Sequence, residues 1–383
     1  MDVLSVQWLG IMAALAAVFW ATPEPWRRYV PALATAAITT WLSPLTLAAL
    51  VLAVGVCWLA QSRLAENGRL IALACAVQLL PLVVWRINAQ MPLPGLAGIA
   101  IPLGLSYIGL RGVHYCIESY KDSLPHHTLA DLVGYFLFLP TLIAGPVHRF
   151  AAYVGDEHRR RWNPALFSEG LERILYGYVK IAFLANLLVE TTLTGWITAQ
   201  IVPGSQAALY GTMIAKGLNG YLQFAGYSDV AIGFARLLGF RVMENFDSPL
   251  IKPNVQAFWG AWHISLTTWC RDYVYTPVFS LTRARSLGII ASMAVLGLWH
   301  EFTARYLLWG LYNGLAIVAW HHWRSLTGER LEGWLANHRA LAMAWRVFAV
   351  LLTIHVIFVG FILVQHKSLA DALTFFTAMI GLA

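Results

Sequence analysis

An all-α, polytopic membrane fold is what this sequence predicts, and three observations carry the prediction. Of its 383 residues, 59% are hydrophobic and only 12% charged, against about half apolar and about a quarter charged in an ordinary soluble domain. The apolar residues come in long runs, at 4–21, 30–60, 70–85, 129–147, 287–299, 306–320 and 345–364. None of these runs alternates with the period of two that a barrel strand needs, and only helices or closed barrels satisfy the backbone in lipid. At roughly 20 residues per crossing, the runs predict about eight to eleven spans.

The first run, opening after Met1-Asp2 without a basic leader, reads as a retained span rather than a cleaved signal. The formal net charge of +7 would fit a nucleic-acid partner if clustered, but the basic residues stand at span ends: Arg27-Arg28, Arg63 with Arg69, Arg159-Arg160-Arg161, and Arg283 with Arg285. By the positive-inside rule these loops face the cytoplasm, and 26–63 forms a helical hairpin turned at Ser43-Pro44 on the far side. The rule gives no clean alternation over 121–161, which predicts re-entrant helices there. The 17 Trp and 15 Tyr suit interfacial belts. Cys57, Cys75, Cys116 and Cys270 show no paired spacing, so neither a disulfide framework nor a metal site is expected.

No polar stretch is long enough for a soluble domain, the longest being 148–164 and 324–339, and there is no internal repeat. One membrane domain over 1–383 is the expectation. Within it, 219–277 differs from its surroundings because polar, aromatic and glycine residues crowd into a segment too mixed for lipid-facing helix. Polar and irregular structure at membrane depth is tolerated only around a protein-lined or water-filled cavity, so the functional site is expected here.

Two histidines stand out. His300 closes a nearly uncharged run and is followed by Glu301; an ionisable group in such a place is a functional candidate, and a neutral imidazole accepts a proton near physiological pH. A histidine that hydrogen-bonds between helices or marks the headgroup level fits the same position. His263 lies in Trp259-Gly-Ala-Trp262-His263-Ile-Ser265, where helical spacing sets it beside an aromatic face; an interfacial helix anchored by tryptophans is the other reading. Arg271-Asp272 reads as a structural ion pair, a phosphate contact or a donor-binding surface, and Asp229 and Glu244 as caps or tethers. No third ligand stands at a metal-binding spacing from the histidines.

Several stretches together resemble a known family: 221–233 (Tyr-Leu-Gln-Phe-Ala-Gly-Tyr-Ser-Asp-Val-Ala-Ile-Gly), Leu238-Gly-Phe240, Glu244-Asn-Phe246, the run Phe258-Trp-x-x-Trp-His-Ile-Ser-Leu-x-Thr-Trp-x-Arg-Asp-Tyr-Val-Tyr275, and Gly297-Leu-Trp-His300. They are similar to the membrane-bound O-acyltransferase family, in particular its bacterial branch of alginate O-acetyltransferases and teichoic-acid D-alanylation transferases. The resemblance is strongest over 137–314, which it marks as the catalytic core between N-terminal spans at 1–136 and C-terminal spans at 315–383. It implies a helical bundle with a central tunnel, His300 as the catalytic residue and His263 as its assistant. It further implies that Trp259, Trp262, Ser265, Trp299, Asn245, Asp229 and Tyr227 bind substrate or line the tunnel, and that Arg271, Asp272 and Tyr275 stand on the donor side or hold the fold.

The implied reaction moves an acyl group, expected to be acetyl, from a cytoplasmic thioester to a hydroxyl of an exported polysaccharide or cell-envelope polymer. Acetyl-CoA or an acyl-carrier protein would be the donor, with no resident cofactor and no nucleic-acid partner. An extracytoplasmic acyltransferase or hydrolase-like partner and a bacterial cytoplasmic-membrane location follow from the same branch. The sequence departs from the branch at Gly260-Ala261, where relatives carry an Arg pair, at Gln223, where they carry Asp, at Glu301, where Gly follows the histidine, and over 276–283, which lacks a Gly-Gly-Asn-Arg loop. The alternative from another class is a secondary transporter or proton-coupled channel using His263, His300, Asp229 and Glu301.

Overall fold

The computed structural model describes residues 5–96 and 101–382. Residues 1–4, on which the reading of a retained first span begins, lie outside the described residues. The predicted all-α, polytopic membrane architecture is what the chain has. Among the described residues, the one element of β pairing is an isolated bridge between Phe246 and Trp262. Four helical stretches among the described residues, Pro44–Leu64, Gly68–Gln90, Pro164–Gln200 and Arg339–Gln365, are long and apolar enough to cross a membrane. Their outward residues include Val51, Leu73, Leu80, Leu175 and Leu351, all exposed, as a lipid-facing surface requires.

Packing divides the chain into two compact units, one built from the chain up to Val179 together with Ala225–Glu244, the other from Lys180–Phe224 together with the chain from Asn245 onward. The first unit holds α1 (Val6–Ala21), α2 (Glu24–Arg27), α3 (Tyr29–Leu42), α4 (Pro44–Leu59), α5 (Gly68–Gln90), α6 (Leu105–Tyr120), α7 (Leu129–Phe136), α8 (Phe150–Arg159) and α9 (Pro164–Tyr178). Their starts are written in short polar side chains that accept from orphan backbone donors: Ser5 from Trp8, Asn67 from Arg69 and Leu70, and Asn163 from Leu166. Between α3 and α4 the chain turns at Ser43, and Pro44 opens α4 where its missing N–H costs nothing.

The region 121–161, where the charge rule gives no alternation, contains the short α7 and α8 around an irregular stretch that includes a single 3-10 turn at Leu139–Thr141. Irregular backbone away from water leaves carbonyls to be satisfied. Arg111, 1% exposed, does this: its guanidinium donates to the carbonyls of Tyr135 and Thr141 at 3.1 and 2.5 Å and to the Thr141 hydroxyl.

After Val179–Leu193, whose turns widen to the π type, come α10 (Thr194–Gln200) and α11 (Gln206–Leu237). The C-terminal part of α11 packs on α9 in the first unit through two glycine pairs. A methyl group on Gly233 would come within 2.6 Å of the Gly170 carbonyl oxygen, and one on Gly177 within 2.7 Å of that of Gly226. The seven-residue spacing on both helices lets the backbones touch twice, the small-residue device of membrane helices. Between the two crossings Arg173 meets Asp229 at 2.7 Å and also pairs with Glu244, which Arg236 approaches at 3.4 Å. Asp229 is therefore a mid-helix ion-pair partner, not a cap.

The second unit continues with α12 (Val255–Ala261), α13 (Ile264–Cys270), α14 (Thr276–Thr282), α15 (Arg285–His300), α16 (Ala304–Ala336), α17 (Arg339–Gln365) and α18 (Leu369–Met379). Helices α15 and α16 also approach through glycine: methyl groups on Gly297 and Gly310 would lie 2.2 Å from the Tyr306 oxygen and 2.3 Å from the Met293 oxygen. Tyr312 ties α16 to α17 by donating to the Val356 carbonyl at 2.8 Å.

Gly233→Val is expected to lower the melting temperature in detergent, by overpacking worth roughly 1–3 kcal/mol. Gly220→Ala, on the same helix with no neighbour within 4 Å, is expected to be neutral or slightly stabilising; equal behaviour of the two would contradict the crossing. A second expectation concerns pH. Burial works against the charge of Asp131, outside the four spanning stretches, but hydrogen bonds from the Thr128 backbone and hydroxyl and from His158 outweigh it and hold the carboxyl below its ordinary value of 3.8. A depressed folded value adds stability that is complete above the ordinary value and lost as pH falls through the folded one. Melting temperatures at pH 5 and pH 3 should therefore differ less in Asp131→Asn than in the parent.

Candidate functional site

The site in the second unit begins with a helix that stops early. Asn254 caps α12 by accepting from the Ala257 N–H at 2.8 Å. After the seven residues of α12, Trp262 is extended, and His263 takes a left-handed conformation with φ 44° and ψ 51° before α13 begins. A non-glycine residue held there costs of order 1–3 kcal/mol and needs support from its surroundings. Residues 245–247 supply it by running antiparallel to 261–264: the Asp247 N–H donates to the Ala261 carbonyl and the Ile264 N–H to the Asn245 carbonyl, each at 3.0 Å. The Ser265 hydroxyl then donates to Asn245 Oδ1 at 2.6 Å. Asn245, His263 and Ser265 are all buried.

This backbone delivers the His263 ring into an aromatic chamber. Its centroid lies 4.7 Å from Phe224, edge to face, 5.7 Å from Trp299 and 6.3 Å from His300. Its Nε2 is buried and has no hydrogen-bond partner among the described residues. His300 comes from another direction, as the last residue of α15, which ends because Glu301 is extended (φ −156°). Its half-buried ring stands 4.8 Å from Trp299, 5.5 Å from Trp309 and 6.0 Å from Tyr306. The two candidate histidines, 37 positions apart in sequence, are thus neighbours.

The chamber is fixed from behind. Trp259 Nε1 donates to Asn313 Oδ1 at 3.2 Å, and Asn313 Nδ2 donates to the Trp309 carbonyl at 2.9 Å. Trp262 stacks on Phe258 at 5.3 Å and meets Phe246 and Phe361 at 5.1 and 5.6 Å. Glu301 is engaged by Arg305 at 3.0 Å, and Arg305 also donates to the His366 carbonyl.

Of the residues expected at the site, His300, His263, Trp259, Trp262, Trp299, Ser265 and Asn245 come together. Arg271 and Asp272 pair with each other at 2.9 Å in an exposed position within the π-type turns Arg271–Tyr275. Tyr275 stacks on Phe279 at 5.9 Å and packs against Gly288. Asp229, in its ion pair with Arg173, and the half-buried Tyr227 belong to the first unit. Members that were not singled out from sequence include Phe224, Tyr306, Trp309, Asn313 and Phe361. Asn313 carried a signal, since it is a lone amide in the apolar run 306–320. Among the described residues no group of three or more His, Cys, Asp or Glu side chains is placed to hold a metal.

The chain is similar to several named bacterial proteins. The probable alginate O-acetylase of Pseudomonas aeruginosa is 33% identical over 295 residues, 75% of this chain and 53% of that relative. The teichoic acid D-alanyltransferase of Bacillus subtilis is 28% identical over 69% of each chain. The peptidoglycan O-acetyltransferase of Helicobacter pylori is 25% identical over 74% of this chain and 58% of its own length. The chain spans about half the length of the alginate O-acetylases it matches, between 53% and 56%. The model of the membrane-bound O-acyltransferase family matches residues 24–364. With His263 and His300 side by side and the family pattern running through nearly the whole chain, this is a member of the membrane-bound O-acyltransferase family.

Proposed function

We propose that this protein transfers an acyl group, expected to be acetyl, from a cytoplasmic thioester to a hydroxyl of an exported polysaccharide or cell-envelope polymer. The observation that carries the reading is the 6.3 Å separation of the His263 and His300 rings inside one aromatic chamber. A thioester carbonyl is already activated, so the protein must remove the acceptor's proton and stabilise the oxyanion of the tetrahedral intermediate. The acceptor oxygen forms the new ester bond to the acyl carbon, the carbon–sulfur bond breaks, and the proton taken from the hydroxyl goes to the departing thiolate.

His300, half-buried and so reachable by a substrate, serves as the general base. His263 orients the acceptor or donates to the oxyanion through Nε2, which has no protein partner among the described residues. The surrounding indoles exclude water, which would otherwise compete as acceptor. Acetyl-CoA or an acyl-carrier protein serves as donor, and transfer proceeds directly or through an extracytoplasmic acyltransferase. The relatives' names, on alginate, teichoic acid and peptidoglycan, support a polymer acceptor and a bacterial cytoplasmic-membrane location. A proton-coupled transporter using Asp229 and Glu301 fits less well, because Arg173 and Arg305 already engage those carboxylates.

Inverted membrane vesicles given labelled acetyl-CoA or labelled acyl-carrier protein should yield labelled polymer or labelled partner. His300→Ala is expected to lower that rate by about 10²-fold or more in a correctly inserted protein with an unchanged melting temperature. Undiminished labelling would reject the assignment, and transport without covalent transfer would reject the enzyme reading. Ser265→Ala tests the strap, since it removes the Ser265 hydrogen bond to the buried Asn245 oxygen, a loss of roughly 1–3 kcal/mol. Its kcat should fall several-fold with KM little changed; parental kcat would show that the strap does not position His263.

A further inference from the structure

A second feature of this unit is lined by none of the residues of the histidine chamber. A cavity of about 760 Å³ opens between α16, α17 and the turn that leads into α12. Its lining combines two kinds of side chain. Trp323 stacks on Trp345 across the two helices, with ring centroids 6.0 Å apart, and the next residue along the chain in each case is an arginine, Arg324 or Arg346, that also lines the cavity. Further along α17 toward the middle of its span, the wall becomes apolar with Leu352 and Val356. The cavity thus pairs a basic, indole-rich rim with a greasy interior, the profile of the boundary between headgroups and acyl chains.

Charge and volume select among occupants. Over 321–346 the sequence carries four arginines against two glutamates, so an anion is favoured. The Arg324 guanidinium sits 5.6 Å from the centre of the Trp320 ring, an arrangement that orients a planar cation for bidentate binding of a phosphate. The volume lies within the range of roughly 300–1,000 Å³ typical of small-molecule sites, enough for a headgroup and the first part of a chain. Basic pockets between membrane helices at the cytoplasmic face suit anionic lipid headgroups. A zwitterionic headgroup brings the same phosphate with an ammonium that two arginines repel.

We propose that this cavity binds one anionic phospholipid of the surrounding bilayer, with its phosphate at Arg324 and Arg346, its glycerol at the Trp323–Trp345 stack and an acyl chain along Leu352 and Val356.

Native mass spectrometry of the full chain from mixed micelles tests this with phosphatidylglycerol and phosphatidylethanolamine as probes. The parent should retain phosphatidylglycerol at least fivefold better. The double variant Arg324→Gln, Arg346→Gln should lose that preference, and Arg324→Lys, Arg346→Lys should keep most of it. Glycerol 3-phosphate, a headgroup without chains, should bind at least tenfold more weakly than phosphatidylglycerol. Equal retention of the two lipids by the parent, which needs no variant to observe, would overturn the proposal. So would an undiminished preference in the glutamine variant, or glycerol 3-phosphate binding as tightly as the lipid.

Discussion

The left-handed backbone of His263 is the constraint on which the site depends. Had α12 run on into α13 as one helix, this residue would continue the helical path instead of turning at the break. Because the conformation is unfavourable for a residue with a Cβ, it persists only under load, and the load-bearing groups are backbone ones: two hydrogen bonds between 245–247 and 261–264, with the Ser265–Asn245 bond beside them. A short antiparallel strap in an otherwise helical protein therefore does the work that a tertiary helix contact could not, since it fixes φ and ψ of a single residue. The opposite imidazole needs no such device. His300 is set by the end of α15, whose position follows from the close glycine crossing with α16.

The same economy governs the polar groups elsewhere. In a low-dielectric interior an unpaired charge or carbonyl is expensive, and the first unit answers with arginines. Arg111 satisfies the irregular stretch after α7, and Arg173 neutralises Asp229 at the level where glycines bring α9 and α11 into contact. Arg305 plays the corresponding part for Glu301 in the second unit. Among the described residues the buried Nε2 of His263 has no hydrogen-bond partner, and an imidazole nitrogen of this kind is a group that a reacting oxygen can use.

Much of this was legible in the amino-acid sequence, and the rest was not for identifiable reasons. Apolar runs marked the spanning stretches at 44–64, 68–90 and 339–365, and Ser43-Pro44 marked a turn because proline belongs at a helix start. His263 and His300 stood out by local context, and the mixed segment 219–277 located the aromatic chamber. Their proximity was not readable, because it depends on where α15 ends relative to a backbone break that no propensity predicts. Trp309, Phe224 and Arg173 were not singled out, because nothing in their local sequence distinguishes them from other aromatics and charges of the chain. Asp229 was read as a cap or a tether, and its ion-pair partner 56 positions earlier, Arg173, was not readable because nothing in sequence ties the two together. The division of α11 between two packing units was equally hidden, since its composition does not change at Ala225.

At the centre of the proposed mechanism, two imidazoles act in one transfer step as a unit. Groups acting together give strongly non-additive losses when removed, so the most direct measurement is a double-mutant cycle on kcat/KM for acyl transfer with His263→Ala, His300→Ala and both changes together. Acting as a unit, the two histidines should give a double variant scarcely slower than the His300→Ala protein. Losses that multiply would contradict it, and would mean that the two histidines serve separate steps.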